Sequence, residues 1–393
     1  MFIVGIDIAK RNHEAIIMND SGQILQKPFS FANSCTGFNQ LLERVRKFTV
    51  LRPEVVFGME STSHYWLALY TRLAKEGYTV RVINPIQSDA LRGLYIRQNK
   101  SDEHDSLIIA DVIRFGRFSE TNVPQDKLFA LRELCRNRFW LMDTASDMKR
   151  KVTALLDQVF PEYEQLFSDK FVVSSVEMLL KYPTPDKILK AQTSKLTSLL
   201  LKFSNGHFGK GKAIEAKTLA QDSFGTPDTC GVYAMLIQTY IKNIKAIWES
   251  IDKLDKEITA LMREMEAPIE SICGVGPVLG AVILSEIGDI SRFQSVDKLA
   301  AFAGLDPTVK QSGDFVGTRN HMSKRGTPYL RRAIWLASTI AVRNDPMFRD
   351  YYAKKAAEGK KYMNIIGHVT KKMTAVIFAV LRDNKPYTPH IAD

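Results

Sequence analysis

The chain has 393 residues, with 54 Lys and Arg against 43 Asp and Glu, a net charge of +11, and it is 45% apolar and 25% charged. That length fits two or three domains, and that balance excludes a long disordered or low-complexity protein. Four widely spaced cysteines without a C-x-x-C pair exclude a disulfide scaffold and a Cys-rich zinc module, and they fit a reducing compartment.

No apolar run approaches the ~18 residues of a membrane span. Asp7 interrupts the apolar N-terminus, which therefore does not read as a signal peptide. A cytoplasmic protein with no membrane partner is expected.

Residues 2–9, 14–19 and 24–31 read as three strands joined by short turns, 36–49 as a helix, and 54–58 as a short buried strand. A helical pattern over 63–76 ends at Gly77, and 78–83 is a strand closed by Asn84-Pro85. Helices follow near 86–93 and 103–117. A three-strand meander followed by alternating helix and strand predicts a mixed sheet covered by helices, an α/β domain over residues 1–122.

The next region, 123–266, reads as helical. An apolar-periodic helix over 127–160 stops at Pro161. In 233–265, Leu236, Tyr240, Ile244, Ile247, Ile251, Leu254, Ile258, Leu261 and Met265 recur at steps of four and three, the seam of a coiled coil or long helical hairpin. Between them, the prolines and the Gly-rich turn of 161–230 predict a small helical insertion. Residues 267–393 read as an all-α domain, with helices at 277–287, 295–304, 328–343 and 362–382 and a Gly/Ser-rich loop at 305–326.

The charge is concentrated late: residues 310–372 hold 14 basic against 4 acidic side chains. Such density is the footprint of a phosphate-backbone binder, with a solvated Lys-rich face as the plainer reading. Tyr329, Trp335, Phe348, Tyr351 and Tyr352 lie between the charges, where aromatic rings either stack on bases or fill helix cores.

Four carboxylates form an ordered set. Asp7 sits in an apolar first strand, where a charge is costly unless paired or metal-bound. Glu60 follows the strand Glu54–Gly58, and Asp102 and Asp105 are three apart at a helix start, on one face. If the ends of the first and fourth strands converge with that helix, the oxygen donors suit Mg²⁺ or Mn²⁺ and two-metal phosphodiester chemistry. Individually, each acid also reads as an ion-pair partner or a helix-dipole residue.

The segments GIDIAK (5–10), GMES (58–61) and NKSDEHDSLIIAD (99–111) resemble the N-terminal motifs of the DEDD transposases of bacterial insertion sequences, relatives of the Piv-type DNA invertases. The resemblance implies a RuvC-like, ribonuclease H-type N-terminal domain in which Asp7, Glu60, Asp102 and Asp105 bind the metal. Ser106 stands where that family usually has Ala. The C-terminal segments 274–290 and 293–313 resemble the family's second domain, and the resemblance implies that Ser312 attacks a DNA phosphate.

On sequence alone, a Ser before Gly is a turn residue. Arg319, Lys324, Arg325, Arg331 and Arg332 follow it and are suited to hold a scissile phosphate. His321 is a nearby candidate base. Gly274 and Gly276, before a helix, resemble a helix-hairpin-helix turn, which contacts a DNA phosphate through backbone N–H groups; a tight turn for packing is the alternative.

The favoured reading is a DNA transposase that cleaves and rejoins strands through a Ser–DNA linkage with Mg²⁺ (or Mn²⁺). The resemblance further implies donor and target DNA, a structured non-coding guide RNA from the same element, and a dimer or tetramer acting at the bacterial nucleoid. The heptad seam is a candidate contact between subunits. The alternative is a metal-dependent Holliday-junction-type nuclease with no covalent step. A sugar-kinase-like phosphotransferase lacks its second phosphate motif here, and an inactive nucleic-acid scaffold gives no reason for the four acids.

Overall fold

The apolar runs of the first 32 positions form three strands, β1 (Phe2–Asp7), β2 (Asn12–Asn19) and β3 (Ile24–Ala32), in an antiparallel meander. Ser34 caps the helix that follows, α1 (Cys35–Arg46), by accepting from the Gly37 N–H at 3.1 Å. Then come β4 (Val55–Glu60), α2 (Trp66–Lys75), β5 (Thr79–Ile83), α3 (Pro85–Arg92) and α4 (Asp102–Phe115). This computed structural model describes residues 1–61, 63–92, 102–116, 118, 126–307, 311–312, 315–316 and 321–389.

The chain divides into two units, Met1–Val123 and Pro124–Asp393. In the first, the five strands form one mixed sheet in the order β3-β2-β1-β4-β5, with β4 parallel to both β1 and β5. One face packs Val4, Ile6, Ala15, Ile17, Phe57 and Met59 against α1 and α2, through Phe38, Leu41, Trp66 and Leu73. The opposite face packs Ile3, Ile16 and Met18 against Ile108, Ile109, Val112 and Ile113 of α4.

Two glycines let α4 lie directly on the strands. A Cβ at Gly5 would stand 2.6 Å from the Ala110 nitrogen and closer still to the Ser106 carbonyl oxygen; one at Gly58 would meet only the Ile113 and Ile109 side chains. Glu60 is the last residue of β4, one position inside the strand rather than beyond it.

The second unit is built on two 34-residue helices, α5 (Asp126–Val159) and, after five short helices, α11 (Val232–Met265). At 1.5 Å per residue each is about 50 Å long. They run antiparallel: Lys127 pairs with Glu264 at 2.6 Å, Arg138 with Asp255, and the Tyr233 hydroxyl donates to Gln158 at 3.3 Å at the far end. The short helices are α6 (Tyr163–Leu166), α7 (Val173–Lys181), α8 (Pro185–Lys190), α9 (Thr193–Phe203) and α10 (Lys210–Gln221). They close a core around Val152, Leu156, Ile237, Ile241 and Ile244 at one end of the pair.

The other end carries α12 (Pro277–Ile287), α13 (Val296–Phe302), α14 (Pro328–Asn344), α15 (Pro346–Ala357) and α16 (Tyr362–Asp383), packed on Leu131, Cys135, Phe139, Ile258 and Met262. A hairpin, β6 (Gln311–Ser312) and β7 (Phe315–Val316), lies in the segment expected to be all loop.

Three expectations change. The buried stripe of α11 is Ile237, Ile241, Ile244, Ile251, Ile258 and Met262, while Leu236, Tyr240, Ile247, Leu254, Leu261 and Met265 are half-buried. The stripe is wider than a two-helix seam because a separate helical core wraps each end, and it is used within the chain against α5. Next, α15 fills a stretch for which no element was expected. Finally, α16 is long and apolar enough to match a membrane span, the one such helix among the described residues. Its Ile365, Ile366, Val369, Met373 and Ile377 are instead buried in the core.

Gly5→Ala is expected to destabilise the first unit by about 3 kcal/mol, because its Cβ meets backbone that cannot give way. Gly58→Ala should cost less, since it meets the ends of side chains. Hydrogen exchange of the β1 amides checks this; equal protection in the two variants would contradict it.

Candidate active site

The first unit gathers acids at one end of its sheet. Ile6 pairs with Met59, so Asp7 and Glu60, one step further along parallel strands, end side by side. Alternation from Gly5 and Gly58, which face α4, puts both carboxylates on the α4 side.

The direction of α4 follows from its contacts. Ser106 and Ala110 lie over Gly5, and Arg114 lies against Gly22, in the β2–β3 turn next to Asn19, the residue opposite Phe2. The helix therefore runs antiparallel to β1, and its first turn, beginning at Asp102, extends toward the Asp7 end. Asp105 is buried, 8% exposed, and Asp7 and Glu60 are half-buried. The side chain of Asp102 lies outside the described residues.

Glu14, opposite Asp7 in register and on the same face as the buried Ile16 and Met18, is a further acid at this edge that sequence reasoning missed. Its place at the start of a strand, two residues before Ile16, was the available signal. All of these donors are oxygens, the set that suits a hard divalent cation. Among the described residues no three acidic, His or Cys side chains converge as an ion cage, so the fit to Mg²⁺ or Mn²⁺ rests on donor chemistry and on placement at one edge.

The turn after Asp7 is held from below. The Ala9 N–H donates to His13 Nδ1 at 3.2 Å and the Asn33 N–H to the Arg11 carbonyl at 2.7 Å. His13 is 1% exposed; burial pushes its pKa down, with a hydrogen bond to Asn33 acting the other way, so the ring is held neutral with Nδ1 as acceptor. Sequence reasoning gave His13 no role.

In the second unit, Ser312 pairs with Phe315 across the β6–β7 hairpin; its side chain, and all of Arg319, lie outside the described residues. The other four basic residues divide in two. Lys324 and Arg325 are exposed. Arg331 donates to the Ala303 carbonyl at 3.0 Å, and burial lowers its pKa. Arg332 pairs with Asp143 at 2.9 Å and stacks over Phe139. Both therefore brace the protein itself.

Gly274 has φ +87°, and a Cβ there would be 2.5 Å from the Ala337 carbonyl, so close packing on α14 accounts for it. Gly276 caps α12 and has open space around it. Among the interspersed aromatics, Phe348 is fully buried and Tyr329 stacks on Phe139.

An ion pair between a buried acid and a half-buried Arg links α12 to α5. Glu286 of α12, 5% exposed, receives two bonds from Arg136 of α5, at 2.7 and 3.0 Å, and a third from the Thr327 hydroxyl at 2.8 Å. Burial works against the Arg136 charge, but the bonds and charge of Glu286 outweigh it and hold the guanidinium above its ordinary pKa. An acid in the apolar run of α12 was the available signal.

A mixed sheet ending in acids, followed in the chain by a long helical unit, is the arrangement found here, and sequence relatives give the class of protein. Residues 4–161 match the DEDD transposase family typified by IS110, and residues 266–353 match the transposase IS116/IS110/IS902 family. The chain is 28% identical to the insertion element IS116 44.8 kDa protein of Streptomyces clavuligerus, over 98% of this chain and 96% of that one. It is 27% identical to the insertion element IS900 42 kDa protein of Mycobacterium paratuberculosis, over 98% and 96%. It is 24% identical to the pilin gene-inverting protein of Moraxella bovis, over 99% and 98%. The chain belongs to the IS110/IS116 family of insertion-sequence transposases.

Replacing Arg136 by Ala removes two of the three hydrogen bonds described for the buried Glu286 carboxylate. The expected cost is about 3 kcal/mol, the low end for breaking a buried pair because Arg136 is itself partly exposed. A chemical-denaturation midpoint matching the parent would contradict this.

Proposed function

We propose that this transposase cleaves and rejoins DNA through a phosphodiester bond between Ser312 Oγ and a DNA phosphate, with Asp7, Glu60, Asp102 and Asp105 as the carboxylates that hold Mg²⁺ or Mn²⁺. The observation that carries this reading is the run of α4 over Gly5, antiparallel to β1, which sends its acidic first turn toward the strand edge of Asp7 and Glu60. The strand order β3-β2-β1-β4-β5 supports a RuvC-like, ribonuclease H-type assignment for the first unit. Supporting a role for Ser312 is its position in a short hairpin followed by the exposed cations Lys324 and Arg325.

In the forward step the Ser312 hydroxyl loses its proton, Oγ bonds to phosphorus, and the leaving DNA oxygen takes up a proton. Attack by the hydroxyl end of a second strand reverses the exchange and restores the serine. One phosphodiester is exchanged for another throughout, so no external energy is required. Divalent ions, when bound, supply the positive charge that makes clustered carboxylates tolerable and stabilises charge developing on the phosphate. Lys324 and Arg325 bind phosphate oxygens, and the N-terminus of α12 at Gly276 offers N–H groups to the DNA backbone.

The partners in this reading are donor and target DNA, a structured non-coding guide RNA from the same element that pairs with both, and further copies of the chain as a dimer or tetramer in the bacterial cytoplasm.

The test is a covalent trap. The protein is expressed with the non-coding DNA flanking its gene, denatured, and probed for bonded DNA, with Ser312→Ala and Glu60→Ala in parallel. An adduct mapping to Ser312 and lost in both variants is expected. Cleaved DNA without an adduct, insensitive to Ser312→Ala, would overturn the covalent step and leave the metal-dependent nuclease.

A further inference from the structure

Positive charge gathers on a face outside the segment that holds Ser312. Residues 354–372 carry six lysines and one acid, Glu358. They run from the last turn of α15 through Gly359, φ +75°, into α16, which packs on α15.

The charges are drawn together rather than spread. The Lys355 ammonium of α15 and the Lys372 ammonium of α16 both lie over the ring of Tyr351, 5.7 and 4.7 Å from its centre. Glu358 accepts from Lys355 at 2.7 Å and from Lys360, and these bonds bring its pKa down to about 2. Lys371 pairs with Asp297 of α13 at 3.2 Å, so two acids stand against six lysines. His368, exposed on α16, is held below its ordinary pKa by its limited burial and then by the charges of Lys360 and Lys355, against the opposing pull of Glu358. Along α16, Lys361, Asn364, His368 and Lys371 recur at steps of three and four, all exposed, on one side of the helix over about 15 Å.

An aromatic ring stands open among these charges. Tyr362 and Met363, the first two residues of α16, are 49% and 62% exposed. The Tyr362 ring leans on that of Tyr352, with 6.3 Å between centroids, and is thereby steadied. Lysines alone fit a solvated face. A braced, exposed ring among crowded cations fits a strand whose bases are free to stack.

We propose that α15 and the first three turns of α16 form a binding face for single-stranded nucleic acid, with phosphates on Lys355, Lys360, Lys361 and Lys372 and one base stacked on Tyr362. A duplex keeps its bases stacked on each other, so the ring selects an unpaired strand. The inference rests on the proposed function only in taking nucleic acid as the partner; it requires neither Ser312 nor a metal.

The full chain is titrated with labelled oligo-uridylate, oligo-thymidylate and a DNA duplex of equal length, without divalent ions, over a range of salt. A triple variant (Lys360→Gln, Lys361→Gln, Lys372→Gln), Tyr362→Ala and Tyr362→Phe are compared with the parent. A charge control replaces Lys187, Lys190 and Lys195, exposed on α8 and α9, by Gln. The log–log salt slope of single-strand binding should be shallower by about two in the triple variant, at about 0.7 per phosphate contact. The control should keep the parental slope. Tyr362→Ala should lose about fivefold to a hundredfold in single-strand affinity and little on duplex, while Tyr362→Phe binds like the parent. The strand that loses more, RNA or DNA, is the one the ring takes, and equal losses mean that it takes either.

Parental affinity and slope in the triple variant, or an equal fall in the control, would overturn the face. So would a Tyr362→Ala variant that binds single strands like the parent, or that weakens duplex as much. No divalent ion or adduct enters the measurement, so its failure leaves the covalent reading standing, and loss of that reading leaves this face standing.

Discussion

The close approach of one helix to one strand organises the first unit of this protein. Because Gly5 has no side chain, the Ser106 carbonyl and the Ala110 nitrogen occupy the space where a Cβ would be, and α4 rests on the backbone of β1. Contact at that range fixes both the height and the direction of the helix. Its apolar face, Ile108, Ile109, Val112 and Ile113, completes the core on that side of the sheet, and its first turn is carried toward the edge where β1 and β4 end in acids. Asp105, in that first turn, is 8% exposed. The acids gathered at this edge offer the oxygen donors that a divalent cation takes, and such an ion is the proposed occupant.

The second unit is organised differently, around two long antiparallel helices. The paired helices α5 and α11 are each enclosed by a core at either end, so neither is a free rod. The pair between Arg136 and the buried Glu286 ties α5 to α12, and through Thr327 to the start of α14. The cations nearest the hairpin divide accordingly: Arg331 and Arg332 brace the scaffold, and Lys324 and Arg325 face solvent.

Much of this was legible in the sequence because the relevant signals are local. Strand alternation, the Gly77 and Asn84-Pro85 stops, and the four-three spacing of 233–265 mark elements whose type depends on neighbours a few residues away. What was not legible depends on tertiary contact. The deep stripe of α11 is set by two cores that wrap it, which spacing alone cannot reveal. The hairpin at 311–316 has only four paired residues, too few for a pattern. The partners of Arg331 and Arg332 within the protein, Ala303 and Asp143, lie 28 and 189 residues away and could not be read from the sequence. Glu286 and His13 carry no motif. Only burial, and the partners that make burial tolerable, mark them out.

The central claim is that the strand-edge acids form a divalent-cation site assembled by α4. It is tested most directly by titrating the full chain with Mn²⁺ and following bound metal by electron paramagnetic resonance, for the parent, Asp7→Asn and Asp105→Asn. Loss of the bound signal in both variants, at an unchanged circular dichroism spectrum, is the predicted result. Equal Mn²⁺ binding by all three proteins would contradict the account.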